Sequence, residues 1–204
     1  MAEHFYRPAE GHRLPHDPFN AIIAPRPIGW VSTLSPAGVR NLAPYSFFNA
    51  FNYVPPIVGF ASIGYKRSPR NIAATREFTW NLVTRAQAEA MNATSATVDA
   101  DVDKFDLAGL PGTPAVDVSP DRVAGAPVSF ECRLTQQVRL TDQRGQAMNT
   151  WLSLGEVVAV HIDEDLLVDG IYDTAAAGPV LRGGGPSSYF TVTADQRFEL
   201  VRPA

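Results

Sequence analysis

RPIGWVSTLSPAGVRNLAPYSFFNAFNYVPPIVGFASIG, residues 26–64, reads as consecutive β-strands joined by turn chemistry. IGWVSTL carries the β-branched and aromatic content of a strand, and SPAG closes a hairpin. VRNLAPYSFFNAF resumes as a strand that breaks at Pro44. Pro44 cannot donate to a ladder, so it requires a sheet edge or a bulge at that point. After the turn-like YVPP, the nearly continuous apolar run IVGFASI predicts a short strand buried on both faces.

On the N-terminal side, residues 1–20 are polar and punctuated by Pro8, Pro15 and Pro18, which predicts an extended arm packing on another surface. On the C-terminal side, GYKRSPRNIAATREF predicts a short helix with Ser68 at the N-cap, Pro69 in the first helical position and an end near Glu77. FTWNLVT alternates Phe78, Trp80 and Leu82 against Thr79, Asn81 and Val83, the period of a strand. RAQAEAMNATSA has helical propensity, and residues 109–127, with four prolines, form an irregular connection. VSFECRL places Val128, Phe130, Cys132 and Leu134 on one face, QQVRLT extends it, and DQRG is a hairpin turn. WLSLGEVVAVHI is a long strand, with Leu152, Leu154, Val158, Val160 and Ile162 on one side and Trp151, Val157, Ala159 and His161 on the other. The tail, 180–204, carries Gly183–Gly185 before a short aromatic strand. Six or seven strands, two helices, no repeat and no domain break predict one mainly β domain over 1–204, a β-barrel with helical insertions.

The composition sets limits on partners. The chain has 204 residues, 45% hydrophobic and 19% charged, with a formal charge of −4. It has enough apolar content to bury a core, and its mild acidity gives no electrostatic footprint for nucleic acid or an anionic membrane. Fifteen of the seventeen basic residues are Arg, leaving Lys66 and Lys104 as the two lysines. A single cysteine excludes an internal disulfide and a thiolate zinc cluster, and Cys132 alternates with core residues as a buried, inert thiol. No apolar stretch approaches the length of a membrane span and the start has no apolar signal region, so the expectation is a soluble, cytoplasmic protein.

The densest chemical signal is the helix start. Its unpaired N–H groups and dipole favour an anion, and Lys66, Arg67 and Arg70 surround the Ser68 hydroxyl within five residues. An ordinary surface helix with solvated charges has the same sequence, and the residues leave both readings open. Walker-loop glycine spacing is absent. Around Pro44, the small polar residues Ser32, Thr33, Asn41 and Ser46 suit a planar ligand bearing many donors and acceptors, although a bulged edge with packed aromatics is the plainer reading. His12 and His16 cannot share a helix face across Pro15, and His161 reads as structural. VDADVDKFD lacks the calcium-loop spacing, so no metal site is expected. A β-barrel holding a phosphorylated small molecule, with no redox role, is one function consistent with these residues.

The stretch 26–64, the K-R-S-x-R-N-I helix start, EFTWNLV, AMNATSA, KFDLAGL, APVSFECRL, GEVVAVHID and LRGGG together resemble the flavin reductase-like proteins with an FMN-binding split barrel. That family includes flavin-supplying components of two-component monooxygenases and flavoredoxin. The resemblance covers most of residues 20–190. It implies a six-stranded Greek-key split β-barrel, a homodimer, and FMN near the subunit interface. By the same resemblance, Trp30, Val31, Ser32 and Thr33, with Asn41, Ala43, Pro44, Tyr45, Ser46 and Phe47, line the isoalloxazine and ribityl chain. Ser62, Lys66, Arg67, Ser68 and Asn71 hold the phosphate end. The tail from Arg182 to Tyr189 approaches the flavin of one subunit or the other, although Pro186 and the two serines after it depart from the family's spacing. The implied activity is hydride transfer from NAD(P)H to flavin, supplying reduced FMN to a partner monooxygenase. The alternative is a flavoredoxin-like electron carrier that keeps its FMN. Hydride transfer to flavin needs no general acid or base, so no catalytic residue is named, and no motif reads the ribose 2′ position to separate NADH from NADPH.

Overall fold

The computed structural model describes residues 2–203. Its centre is a seven-stranded antiparallel sheet. The strands are β1 (Gly29–Leu34), β2 (Arg40–Tyr45), β3 (Phe48–Asn52), β4 (Ile57–Ile63), β5 (Glu77–Asn81), β6 (Val128–Thr141) and β7 (Ala147–Ile162). Their order is β2-β1-β5-β6-β7-β4-β3. The two edge strands, β2 and β3, are consecutive in the chain, with only Ser46 and Phe47 between them. A sheet whose opposite edges are tied by two residues must curl. The seam is completed by Tyr45 against Phe60, ring centroids 4.4 Å apart, and by the Ala61 amide donating to the Phe47 carbonyl at 2.8 Å. The resemblance implied six strands; the seventh is Phe48–Asn52, which pairs with β4 as a strand of its own.

Val31, Phe60, Phe78, Cys132 and Val157 fill the curl from five strands, and Ile72 of helix α1 (Arg67–Thr75) closes one end. Each such side chain contributes roughly 1.5–3 kcal/mol on burial. Gly155 faces this core because any Cβ there would collide with the Phe78 ring. On the other face of β1 and β2, Trp30 and Leu42 pack with Met91 of α2 (Ala88–Ala93) and Phe105 of α3 (Lys104–Leu107). The Trp30 indole donates to Thr94 Oγ1 at 3.0 Å. Cys132 is fully buried, which pushes its thiol pKa up.

Three local expectations are corrected. Ser68 is not the N-cap: Lys66 holds that position, Ser68 and Pro69 are the second and third helical residues, and α1 stops at Thr75 because Arg76 turns left-handed (φ 67°). Pro44 does not interrupt its strand. It lies inside β2, opposite Trp30, on a sheet edge where its missing N–H leaves no ladder gap. The period-2 division of β7 fails at Val158. Val157 pairs with Cys132 and Ala159 with Glu131, so Val158 is a bulged extra residue. Val160 and Ile162 thereby pair with Phe130 and Val128, while Leu152 and Leu154 lie on the other face, where Leu154 packs on Gly59.

The bulge also turns His161 toward Glu131. His161 Nε2 lies 2.6 Å from Glu131 Oε1, and the same fully buried carboxylate accepts from the Val116 and Asp117 amides at 2.8 and 2.6 Å. One carboxylate thus fastens the irregular 109–127 connection to the sheet.

The tail strand β8 (Val180–Arg182) lies between Arg26–Pro27 and β9 (Tyr189–Thr191). Its glycines serve different ends. A Cβ at Gly183 would meet Ser188 and Phe190, one at Gly184 would strike Ala21, and Gly185 has a positive φ of 67°. Residues 2–18 form a largely exposed arm with one short turn, Pro8–Glu10. Among the described residues no helix is long and apolar enough to cross a membrane.

Candidate functional site

Helix α1 meets the open edge of the sheet through a buried polar cluster. Asn41 Nδ2 donates to Thr33 Oγ1 and Ser68 Oγ at 3.1 and 3.0 Å, and Asn71 Nδ2 donates to Thr33 Oγ1 at 3.1 Å. The Ser68 hydroxyl therefore anchors the helix start to β2 instead of capping it. Asn41 is 1% exposed, yet its Oδ1 has no partner. A buried carbonyl oxygen without a donor costs about 1–3 kcal/mol.

Above the cluster lies a cleft of about 380 Å3 between the β2 edge, the first turn of α1 and residues 95–98. Ala43, Pro44 and Tyr45 form one wall. Lys66, Arg67, Arg70 and Lys104 bring four cations, and no lining residue is acidic. The Arg67 and Ser68 amides, in the first helical turn, have no intrahelical acceptor. Arg67 is fixed by Nη2, which donates to the Ala100 and Val102 carbonyls at 2.9 and 3.0 Å, while Nη1 is buried without a partner. Burial holds the Arg67 pKa below its ordinary value, against the pull of Asp103 and Asp101. Lys104 is 6% exposed and donates to the Thr94 carbonyl at 2.8 Å. Burial first, then Arg67 and Lys66, lower its pKa to about 8.

Of the nearby acids, Asp103 and Asp106 are held by Arg40, while Asp101 is exposed on the Arg67 side. Arg40 pairs with Asp103 at 2.6 Å and Asp106 at 2.9 Å, and Asp103 also caps α3 by accepting from the Phe105 and Asp106 amides. Among the described residues no ion pair joins a carboxylate to Lys66, Arg67, Arg70 or Lys104, and Lys104 sits at the start of a fixed helix. The Tyr45 hydroxyl lies near Ser68 and Ser62, and burial raises its pKa.

The structure gathers Asn41, Ala43, Pro44, Tyr45, Lys66, Arg67 and Ser68 around one cleft, with Thr33 and Asn71 beneath it. Ser62 is buried and donates to the Gly64 carbonyl at 2.9 Å. Three of the expected residues lie outside this cleft's lining. Trp30 and Val31 are fully buried on opposite faces of β1, and Ser32, 1% exposed, shares the Trp30 face. Their side chains form no wall of this cleft.

Ser46 and Phe47 lie farther along the same edge, in a neighbouring cleft with Arg26. Arg26 Nε donates to the Ser46 carbonyl at 3.0 Å, and its guanidinium sits 5.7 Å from the Phe47 ring centroid. The tail reaches this end alone, through Arg26 Nη2 on the Gly183 carbonyl at 3.3 Å. Its Arg182 folds back on the Gly185 and Ser188 carbonyls, away from the cationic end.

Sequence reading missed Lys104 as a site residue. Its signal was its rarity, one of two lysines in an arginine-rich chain.

A curled antiparallel sheet with a helix-plugged core and a cationic cleft at its open edge places the molecule among the split barrels. Residues 23–177 match the flavin reductase like domain, and the chain belongs to that family. It is similar to an uncharacterized protein of Deinococcus radiodurans, 37% identical over 194 residues and covering 89% of this chain and 82% of that one. Among solved structures, nitrilotriacetate monooxygenase component B from Bacillus cereus superposes with a TM-score of 0.86 at 26% identity, covering 98% of this chain and all of that one. The 2-nitrobenzoate 2-nitroreductase of Pseudomonas fluorescens gives 0.79 at 28% identity, covering 91% and 88%.

Proposed function

We propose that the chain is a cytoplasmic FMN-binding oxidoreductase that passes hydride from NADH or NADPH to flavin and supplies reduced FMN to a partner monooxygenase. The observation carrying this reading is the gathering of four cations, with no acidic residue, in the lining of the cleft at the β2 edge. Lys66, Arg67, Lys104 and the first-turn amides suit a phosphate. A ribityl hydroxyl gives Asn41 Oδ1 the donor it lacks. The strand edge from Pro44 to Phe47 suits the rim of a flavin ring. When bound, the flavin supplies the two-electron chemistry. The protein's part is to bind, orient and shield, so the lack of an acid–base pair in the cleft fits the reading. Its likeness to a component of nitrilotriacetate monooxygenase supports the supplier role.

A homodimer completes the reading. Phe51, Tyr53 and Val54, at β3 and the turn after it, are 53%, 91% and 81% exposed. A second copy covers such an edge.

The test is anaerobic titration of the FMN-loaded protein with NADH and NADPH, followed by turnover in air. The expected result is bleaching of the flavin band and FMN-dependent oxidation at roughly 1–100 s⁻¹. If both nicotinamides leave the flavin oxidised for minutes while a reduced protein bleaches it, the molecule is an electron carrier.

A further inference from the structure

Away from the α1 start, two arginines face each other across the small tail sheet. Arg26 is the register partner of Arg182 on β8, and Arg182 is in turn the partner of Tyr189 on β9. Directly opposed residues of an antiparallel pair share a face, with Cβ atoms about 4.5–5.5 Å apart. Arg26, Arg182 and Tyr189 therefore form one row across three strands. Each guanidinium also has a ring beside it. Arg26 lies 5.7 Å from the Phe47 centroid and Arg182 4.8 Å from that of Tyr189.

Like charges placed directly opposite destabilise a sheet. Among the described residues no carboxylate pairs with either arginine. The Arg26 pKa is held below its ordinary value by burial first and by the Arg182 charge second. Backbone carbonyls fix both forks without neutralising them. Arg26 donates from Nε to Ser46 at 3.0 Å, from Nη1 to Asn20 and to Ile23 at 3.5 Å, and from Nη2 to Gly183 at 3.3 Å. Arg182 donates from Nη1 to Ser188 at 2.6 Å, and from Nη2 to Gly185 and Pro186 at 2.8 and 3.1 Å. A guanidinium carries five N–H donors. One Nη2 hydrogen of Arg26, and the Nε and second Nη1 hydrogens of Arg182, thus have no partner among the described residues. Arg26 also lines a cleft of about 400 Å3 with Ser46, Phe47, Phe48 and Phe51, and that cleft has no acidic residue in its lining.

We infer that Arg26 and Arg182 form a second anion site, which takes a phosphate or diphosphate group and is separate from the cleft at the α1 start. A monocarboxylate would leave one of the two cations uncompensated; a dianion answers both, through donors already held in place. That chemistry has two sources, free inorganic anion and the diphosphate of a nicotinamide dinucleotide.

The experiment is calorimetric titration of the full chain with inorganic diphosphate, alone and after saturation with FMN. Arg182→Gln, Arg182→Lys and Arg26→Gln are compared, with melting as the folding control. The unaltered protein should still bind diphosphate when FMN is present. Either glutamine should weaken that binding roughly tenfold or more, as for loss of one charge-assisted hydrogen bond. Arg182→Lys keeps the charge without the fork and should lose less. If a glutamine variant does not fold, the lysine variant carries the comparison. Displacement of diphosphate by NADH, with a raised KM for NADH in Arg182→Lys, assigns the site to the dinucleotide. Diphosphate binding that NADH does not displace assigns it to the free anion. No diphosphate binding beside FMN, or binding that is equal in every folded variant, overturns the site. If FMN itself does not bind, the flavin reading falls, while the titration without FMN still tests the two arginines.

Discussion

Lys104 is where burial and charge meet most sharply. Its ammonium is desolvated, faces other cations and has one carbonyl as its hydrogen-bond partner, so it holds its proton less firmly than a free lysine. An anion beside it favours the charged form and raises that pKa again. FMN binding should therefore take up protons near pH 8 and above, and affinity should fall as pH climbs past about 8. Calorimetry in two buffers of different ionisation enthalpy checks the uptake. Lys104→Met should weaken FMN by about 1.5–3 kcal/mol, the worth of a charged hydrogen bond, and leave riboflavin unchanged. Glu131 gives the opposite acid–base case. Burial alone would raise its pKa, but the Val116 and Asp117 amides and His161 outweigh burial and hold it below the ordinary value. Its stabilisation is present above the unfolded-state pKa of about 4.3 and is lost as pH falls through the lower folded one. Glu131→Gln should lower the melting temperature at pH 7, since an amide cannot serve both N–H donors so well. The gap to the unaltered protein should narrow toward pH 3; an undiminished gap there counts against the linkage.

Among the elements, β7 shows how much depends on one inserted residue. The Val158 bulge brings His161 to Glu131 and turns Val160 and Ile162 to the face of Phe130 and Val128. Deleting Val158 removes the unpaired residue and leaves Ala159 opposite Glu131, so the distal end should keep its facing and the 109–127 connection its anchor. The expected result is a melting temperature within about 5 °C of the parent, with no faster proteolysis of that connection. A deletion variant that melts far lower and is cut at 109–127 would deny that Val158 is the extra residue. The bulge also marks where sequence reading stops. Long strands, the DQRG hairpin and the cationic helix start are local patterns and could be read directly. A bulge depends on the partner strand's register, which no window of β7 contains. Ser68 was misplaced for a related reason. Its local chemistry favours a cap, but a partner on another strand, Asn41, takes its hydroxyl. Lys104 joins the site because Asp103 caps α3 and Arg40 holds Asp103, contacts between segments distant in the chain.

At the scale of the molecule, the apolar turn after β3 sets the expected assembly. Light scattering at micromolar concentration should show a dimer, and Tyr53→Asp with Val54→Asp should give monomers with FMN affinity reduced if the partner shares the site. A monomeric parent with full affinity would make the single chain sufficient. The curl itself follows from the Ser46–Phe47 link, which joins the sheet's outermost strands although they are not neighbours in the ladder order. Its consequence concerns chain connectivity. Circular permutation that places new termini between Ser46 and Phe47 would cut no ladder between neighbouring strands, yet would turn a hoop into an open ribbon. In most closed sheets hydrogen bonds set the girth. In this one a peptide bond does, and the edge that walls the cationic cleft lies next to it.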